Sequence, residues 1–163
     1  MKRFIQYIIA SILLLSACPS MSQTVGYSYI LLATKGCTMK FSVVKQDSAY
    51  FIIVTASSLS KKFLNETMMK IRTFNDDVIT LKGVAIDKQS AVIAANLFAL
   101  ITENNSTAQF AITPDDFEKL NSGVSKIHLS MMPTEHERTF KKDKIGKKLY
   151  QFYLKAKAKD ENF

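Results

Sequence analysis

The sequence predicts a mainly β, α+β domain: an antiparallel β-sandwich or barrel-like sheet with a short helical insert and a C-terminal amphipathic helix. Three observations carry this. Alternating apolar and polar residues recur from Tyr27 onward, the period of a half-buried strand. Asx-containing turns, Gln46-Asp47-Ser48 and Asn75-Asp76-Asp77, separate those runs, because short Asx side chains bond their own backbone and tolerate unusual angles. Two segments, near Thr113–Leu120 and Asp143–Ala156, instead carry helix caps and helical spacing. A length of 163 residues with 47% hydrophobic and 22% charged residues excludes a disordered polar chain and fits one domain.

In chain order, Tyr27 to Thr34 reads as a first strand, broken by Lys35-Gly36. Cys37 to Lys45 sets Met39, Phe41 and Val43 on one face, and Ala49 to Thr55 is apolar enough for a central strand. The turn between them predicts a hairpin. Residues 56–67 read as a polar connection with a Phe-Leu anchor. Met68 to Phe74 and Val78 to Ile86 form a second hairpin, in which Gly83 marks a bulge or a close backbone approach. Ala91 to Ile101 fits either helix or strand; the sheet context and a turn read at Glu103–Ser106 favour strand. After a strand from Thr107 to Ile112 comes the best-specified unit. Thr113 can N-cap a helix, Pro114 fits its first turn, and Asp115 and Asp116 suit its positive end. Phe117 and Leu120 share one face, and Gly123 can close the helix. Val124 to Met131 returns as a strand, and Glu135 to Phe140 reads as a last extended piece. Asp143 can then cap a helix with Ile145, Leu149, Phe152 and Ala156 on one face. Alternation at Tyr150/Phe152/Leu154 would also fit a strand, but Gly146 and the Lys/Ala/Gln content favour helix.

The N-terminus reads as an export signal. Lys2-Arg3 precede the apolar run Phe4–Leu15, about 18 Å as a helix and too short to span a bilayer permanently. Leu15-Ser16-Ala17-Cys18 has the pattern of a bacterial lipobox, in which the Cys thiol accepts a diacylglyceryl group. Ser20-Met21-Ser22 offers an ordinary cleavage site that would leave Gln23 first, so two processing routes stay open, with Cys18 lipidation preferred. Either route leaves Cys37 as the single thiol available to pair, and no intrachain disulfide is expected. The resulting organisation is a signal peptide (1–17), a tether (18–24), a β-rich domain (25–132) and a basic C-terminal segment (133–163) packed on that domain.

The formal charge of +8 is uneven. Residues 19–137 hold 11 basic and 11 acidic side chains, whereas residues 138–163 hold 9 and 3. Six of those bases, Arg138, Lys141, Lys142, Lys144, Lys147 and Lys148, lie within 138–148 beside one acid. They suit either a solvated helix edge or contact with an anionic surface such as lipid phosphate. The second reading gains from an acylated Cys18, which would hold the domain near the membrane. A nucleic-acid site lacks a motif and conflicts with export.

No catalytic motif is present. There is no Gly-rich phosphate loop and no Gly-x-Ser-x-Gly elbow. His128 reads as a structural imidazole on a strand. In Glu135-His136-Glu137, neighbouring side chains point to opposite faces and cannot converge on one metal. Asp76-Asp77 and Asp115-Asp116 are explained by a turn and a helix start. Carbohydrate stacking has little support without Trp, although Tyr27, Tyr29 and Tyr50 could contribute. Asp47-Ser48-Ala49 matches a short O-glycosylation acceptor motif, and Asn65-Glu66-Thr67 and Asn105-Ser106-Thr107 fit N-glycosylation acceptors that mean little in a bacterial protein.

The processing region Ser16–Thr24, the unit Ala111–Leu120 with Gly123–Ile127, and the tail Phe140–Lys148 together resemble small exported or lipid-anchored proteins of unknown function from Bacteroidetes. The resemblance implies an envelope or periplasmic location and supplies no catalytic residue. The expectation is an exported, non-enzymatic binding or structural module without cofactor or metal. Its partners would be the membrane and an unidentified envelope protein or glycan. The alternative is a small periplasmic hydrolase or transferase.

Overall fold

In the computed structural model, residues 23–31, 34–59, 63–95, 100–132 and 135–159 are described. The apolar alternation folds into eight strands: β1 (Thr24–Leu31), β2 (Thr34–Gln46), β3 (Ala49–Ser58), β4 (Phe63–Thr73), β5 (Val78–Ala95), β6 (Leu100–Ile112), β7 (Val124–Met132) and β8 (His136–Thr139). All pairings are antiparallel, and the order across the sheet is β1-β2-β3-β6-β5-β4-β7-β8. The single sheet curls into a half-barrel, so of the two predicted layouts the barrel-like one forms. Among the described residues two helices accompany it, α1 (Pro114–Leu120) and α2 (Gly146–Ala158).

The turn chemistry acts as predicted at both hairpins. Asp47 and Asp76 take positive φ, 54° and 64°. The Thr73 hydroxyl accepts the Asn75 and Asp77 amides and so fixes the second turn. β3 alternates strictly between buried and half-buried residues from Tyr50 to Ser58 and lies between β2 and β6. Thr113 caps α1 by accepting the Asp116 amide, and Gly123 closes that unit at φ 86°. Gly83 marks a close approach, because a Cβ there would lie 2.3 Å from the Gln109 carbonyl. The bulge in that strand comes later, between Ala85 and Asp87.

Several boundaries differ from expectation, among them the end of β5, which runs on from Ile86 to Ala95. Lys35-Gly36 does not break a strand but lies within β2. The polar connection read at 56–67 shrinks, because β3 runs to Ser58 and β4 starts at Phe63. Glu103–Ser106 is not a turn but the middle of β6. Its Asn and Ser side chains are satisfied inside the sheet: Asn104 accepts the Ser90 hydroxyl and donates to the Ser58 carbonyl, and Ser106 accepts the Leu64 amide. Polar residues that usually signal turns therefore brace neighbouring strands here. Within 91–101 the described residues are strand, but they belong to two strands and not to the single one expected: 91–95 end β5 and 100–101 begin β6.

Burial concentrates on the concave side, where Met39, Phe41, Ile52, Val54, Met69, Ile71, Phe110, Ile127 and Leu129 are almost wholly enclosed. The helices cover part of this core. Leu149 and Tyr153 form the buried stripe of α2, continuing Ile145 at its N-cap, with Phe152 and Ala156 half-buried beside it. The expected stripe ran through Phe152 and missed Tyr153, whose ring stacks on Phe117 of α1 at 4.6 Å and meets Tyr50 of β3 edge-on at 5.0 Å.

The open side of the half-barrel is bridged by side chains. β1 and β8 are the outermost strands and do not pair. His136 of β8 is buried and lies 4.4 Å from the Tyr29 ring and 5.7 Å from the Tyr27 ring. The Tyr27 hydroxyl and His136 Nε2 share a hydrogen bond of 2.7 Å. Phe140 meets Tyr27 edge-on at 5.2 Å. Burial pushes the Tyr27 pKa well up, and nearby Arg138 only partly offsets this, so the hydroxyl keeps its proton. The Tyr29 hydroxyl is buried beside the Cys37 thiol and, among the described residues, meets no oxygen or nitrogen partner. Burial, and then the thiol, raise its pKa as well.

Those two tyrosines should respond oppositely to loss of the hydroxyl. Tyr27→Phe should cost about 1 kcal/mol, the net worth of one hydrogen bond, and Tyr29→Phe should be neutral or stabilising, since it removes an unsatisfied buried group. Urea unfolding measures both; equal destabilisation by the two changes would contradict this account of the seam.

Candidate functional site

The basic segment is pinned to the domain at both ends. Phe140 is buried and donates its amide to the Ser125 carbonyl at 2.8 Å. Five residues later Ile145 is fully buried. Between and after these anchors, Lys141, Lys142, Lys144, Lys147 and Lys148 are exposed, as is Arg138 at the end of β8. None of the six forms an ion pair among the described residues. All the residues expected to contact an anionic surface thus lie on the surface along one short stretch. Cys18 lies outside the described residues.

The one acid of the stretch faces the other way. Asp143 Oδ1 accepts the amides of Val124 at 2.9 Å, Ile145 at 3.3 Å and Gly146 at 2.8 Å, and Oδ2 accepts Lys147 at 2.9 Å. Burial opposes its ionisation, but the four amides outweigh that and hold the carboxyl below its ordinary range. The close fit needs glycine at Gly146, where a Cβ would lie 2.7 Å from the Val124 nitrogen. Asp143 therefore starts α2, ties it to the beginning of β7, and spends its charge on the backbone instead of on the neighbouring lysines.

The lysines themselves are placed against local electrostatics. Lys147 and Lys148 occupy the first turn of α2, which contains no acidic residue. A helix N-terminus carries partial positive charge and favours acids there. Lys155 and Lys157, in the last turn, are favourably placed. The chain also enters the domain beside this helix: Lys155 Nζ donates to the Gln23 side chain at 3.2 Å. Gln23 lies only five positions after Cys18, a reach of at most about 18 Å.

Other chemistry-bearing groups gather on the outer face of the sheet. His128 of β7 pairs with Glu135. Lys126 pairs with Glu137 at 2.8 Å, and that hydrogen bond lowers the Glu137 pKa. With Lys70, Ile71, Arg72 and Val78, the residues Lys126, His128 and Glu137 line a shallow open depression. Among the described residues, no Ser, Thr or Cys lines it. His136 faces inward while Glu135 and Glu137 are exposed, as strand alternation requires. Among the described residues no three potential ligands gather to hold a metal. Tyr29 and Tyr50 are buried and Tyr27 is half-buried, so they serve the core and do not form a stacking platform. Ser48 is exposed at its turn, but Ser106 is buried.

Comparison of the chain with protein-family models, curated proteins and solved structures finds no match.

The unfavourable placement of Lys147 and Lys148 gives a direct check. Replacing both by Gln should raise the thermal midpoint slightly, by about a degree or two for a domain of this size. A fall in the midpoint, followed by circular dichroism, would show that the two lysines are structural.

Replacing Asp143 should have the opposite effect. Asp143→Ala should cost about 1–2 kcal/mol, as for loss of a helix cap. The folded carboxyl has the lower pKa, so its contribution is present above the ordinary Asp value near 4 and fades as pH falls through the folded value. The stability gap between the wild type and Asp143→Ala, measured by denaturation from pH 6 to pH 2.5, should therefore narrow with acid. A gap that widens or stays constant would refute the cap.

Proposed function

We propose that this chain is an exported bacterial envelope protein that acts by binding rather than catalysis, with its basic segment against an anionic surface. The observation that carries the reading is the set of six exposed bases within 138–148, where the one acid, Asp143, is turned into the backbone. Two of those bases also sit at the positive end of a helix, an arrangement that folding alone does not favour. Among the described residues no helix is long and apolar enough to cross a membrane, so attachment in this proposal rests on Cys18. An acyl group there would hold α2 close to the headgroups, where each base adds about 1 kcal/mol of attraction. The same N-terminal features, and the likeness to small exported Bacteroidetes proteins, support the envelope location. The His128–Glu135 pair is the observation that would favour a periplasmic hydrolase or transferase, but the depression beside it is shallow and open.

Binding to vesicles tests the surface contact. Protein starting at Gln23 should bind vesicles containing phosphatidylglycerol at low salt and ignore neutral phosphatidylcholine vesicles. Changing Arg138, Lys141, Lys142, Lys144, Lys147 and Lys148 to Gln should weaken binding at least 100-fold, and salt should weaken the wild type through screening. Equal binding of wild type and variant would reject the contact. Intact mass of the protein from cells reads the anchor separately: acyl chains on Cys18 are expected, and a free Gln23 N-terminus would remove it.

A further inference from the structure

The outer face of β4 and β7 carries a block of bases that folding alone does not favour. The ladder between these strands is regular from Met69 to Arg72 and sets Lys70 opposite His128 and Arg72 opposite Lys126. Met69, Ile71, Ile127 and Leu129 are buried on the other face, so Lys70, Arg72, Lys126 and His128 share the outer one. Like charges directly opposite, as in Arg72 and Lys126, destabilise a sheet. On the β5 side the facing residues are Thr80 and Val78, which offer no counter-charge. On the β8 side Glu135 is engaged by His128 and Glu137 by Lys126. Lys70 and Arg72 are exposed and make no ion pair among the described residues. Ser125 pins the backbone beside them, donating its hydroxyl to the Arg72 and Thr73 carbonyls at 3.1 and 2.7 Å, where the register shifts. Such irregularities re-aim side chains and recur next to functional sites.

The depression bounded by these residues sets the chemistry of its occupant. Two unengaged cations call for two negative charges. One phosphate monoester carries close to two near neutral pH, whereas a carboxylate, a sulfate ester or a phosphodiester carries one. Lys70 and Arg72 stand two positions apart on one strand face, about 7 Å, close enough for each to hold a different oxygen of the same phosphate. Arg72 adds the planar fork that matches such oxygens. Glu137 also lines the depression. Its carboxylate accepts hydrogen bonds and repels a second anion. The carrier of the phosphate is therefore neutral and bears hydroxyls, which sets aside nucleotides, polyphosphates and an anionic bilayer. We propose that this face binds a sugar phosphate, with Lys70 and Arg72 on the phosphate and Glu137 on the sugar hydroxyls. The site does not rest on the basic segment or on its contact with an anionic surface.

Titration with glucose 6-phosphate, followed by nuclear magnetic resonance of the mature protein purified from cells producing the full chain, tests the site. Saturable shifts are expected at the amides of Lys70, Arg72, Lys126 and Glu137. Changing Lys70 and Arg72 together to Gln should weaken binding about 10-fold or more, the worth of at least one charge-assisted hydrogen bond. That variant should fold at least as stably as the wild type, because it relieves the opposed charges. A variant with the six bases of 138–148 changed to Gln should bind glucose 6-phosphate as the wild type does. Glucose should not bind, and glucose 6-sulfate and inorganic phosphate should bind more weakly. The proposal is overturned by any of four results: no saturable shift, binding indifferent to the Lys70 and Arg72 changes, binding lost from the six-base variant, or equal binding of inorganic phosphate or the sulfate ester.

Discussion

The carboxylate of Asp143 is the contact on which the C-terminal third of the molecule depends. One side chain accepts four amides, from Val124 and from residues 145–147. It thereby fixes where β7 begins and where α2 begins, and it joins them across the Gly123 and Gly146 backbones. With the start of α2 held there, Ile145, Leu149 and Tyr153 are delivered to the core. The charge of Asp143 is consumed in the same step. The bases on either side are left without a local counter-charge, so the structural role of the acid creates the electrostatic character of the surface.

The half-barrel is completed in two different ways. Along the sheet, backbone ladders join seven pairs of strands. Across the opening, aromatic rings take over, with His136 held against Tyr27 and Tyr29. Rings can bridge a gap too wide for backbone bonds while still excluding water.

What could be read from the sequence was local chemistry. The alternation in 37–45 and 49–55 gave strands, Asp47 and Asp76 gave turns, and Thr113-Pro114-Asp115-Asp116 gave the start of α1. The six bases were legible because they fall within 138–148, and Asp143 was legible as a group serving the helix start, although the N-cap position itself is Ile145. Its bond to Val124 was not, because that amide is 19 residues away and only tertiary folding brings it near. The Tyr27–His136 bond spans 109 residues and leaves no trace in local pattern. Asn104 and Ser106 misled for a related reason. Their turn propensity yielded to hydrogen bonds with Ser58, Ser90 and Leu64 that arise only once the strands are assembled.

The central claim is that Asp143 is ionised, turned inward and bonded to the backbone. Titration followed by nuclear magnetic resonance reads this most directly, through the Asp143 carboxyl carbon and the amides of Val124, Gly146 and Lys147. The account predicts a midpoint below the ordinary aspartate range, with all three amides shifting at that same midpoint. An ordinary midpoint, or amides that do not sense the titration, would contradict it.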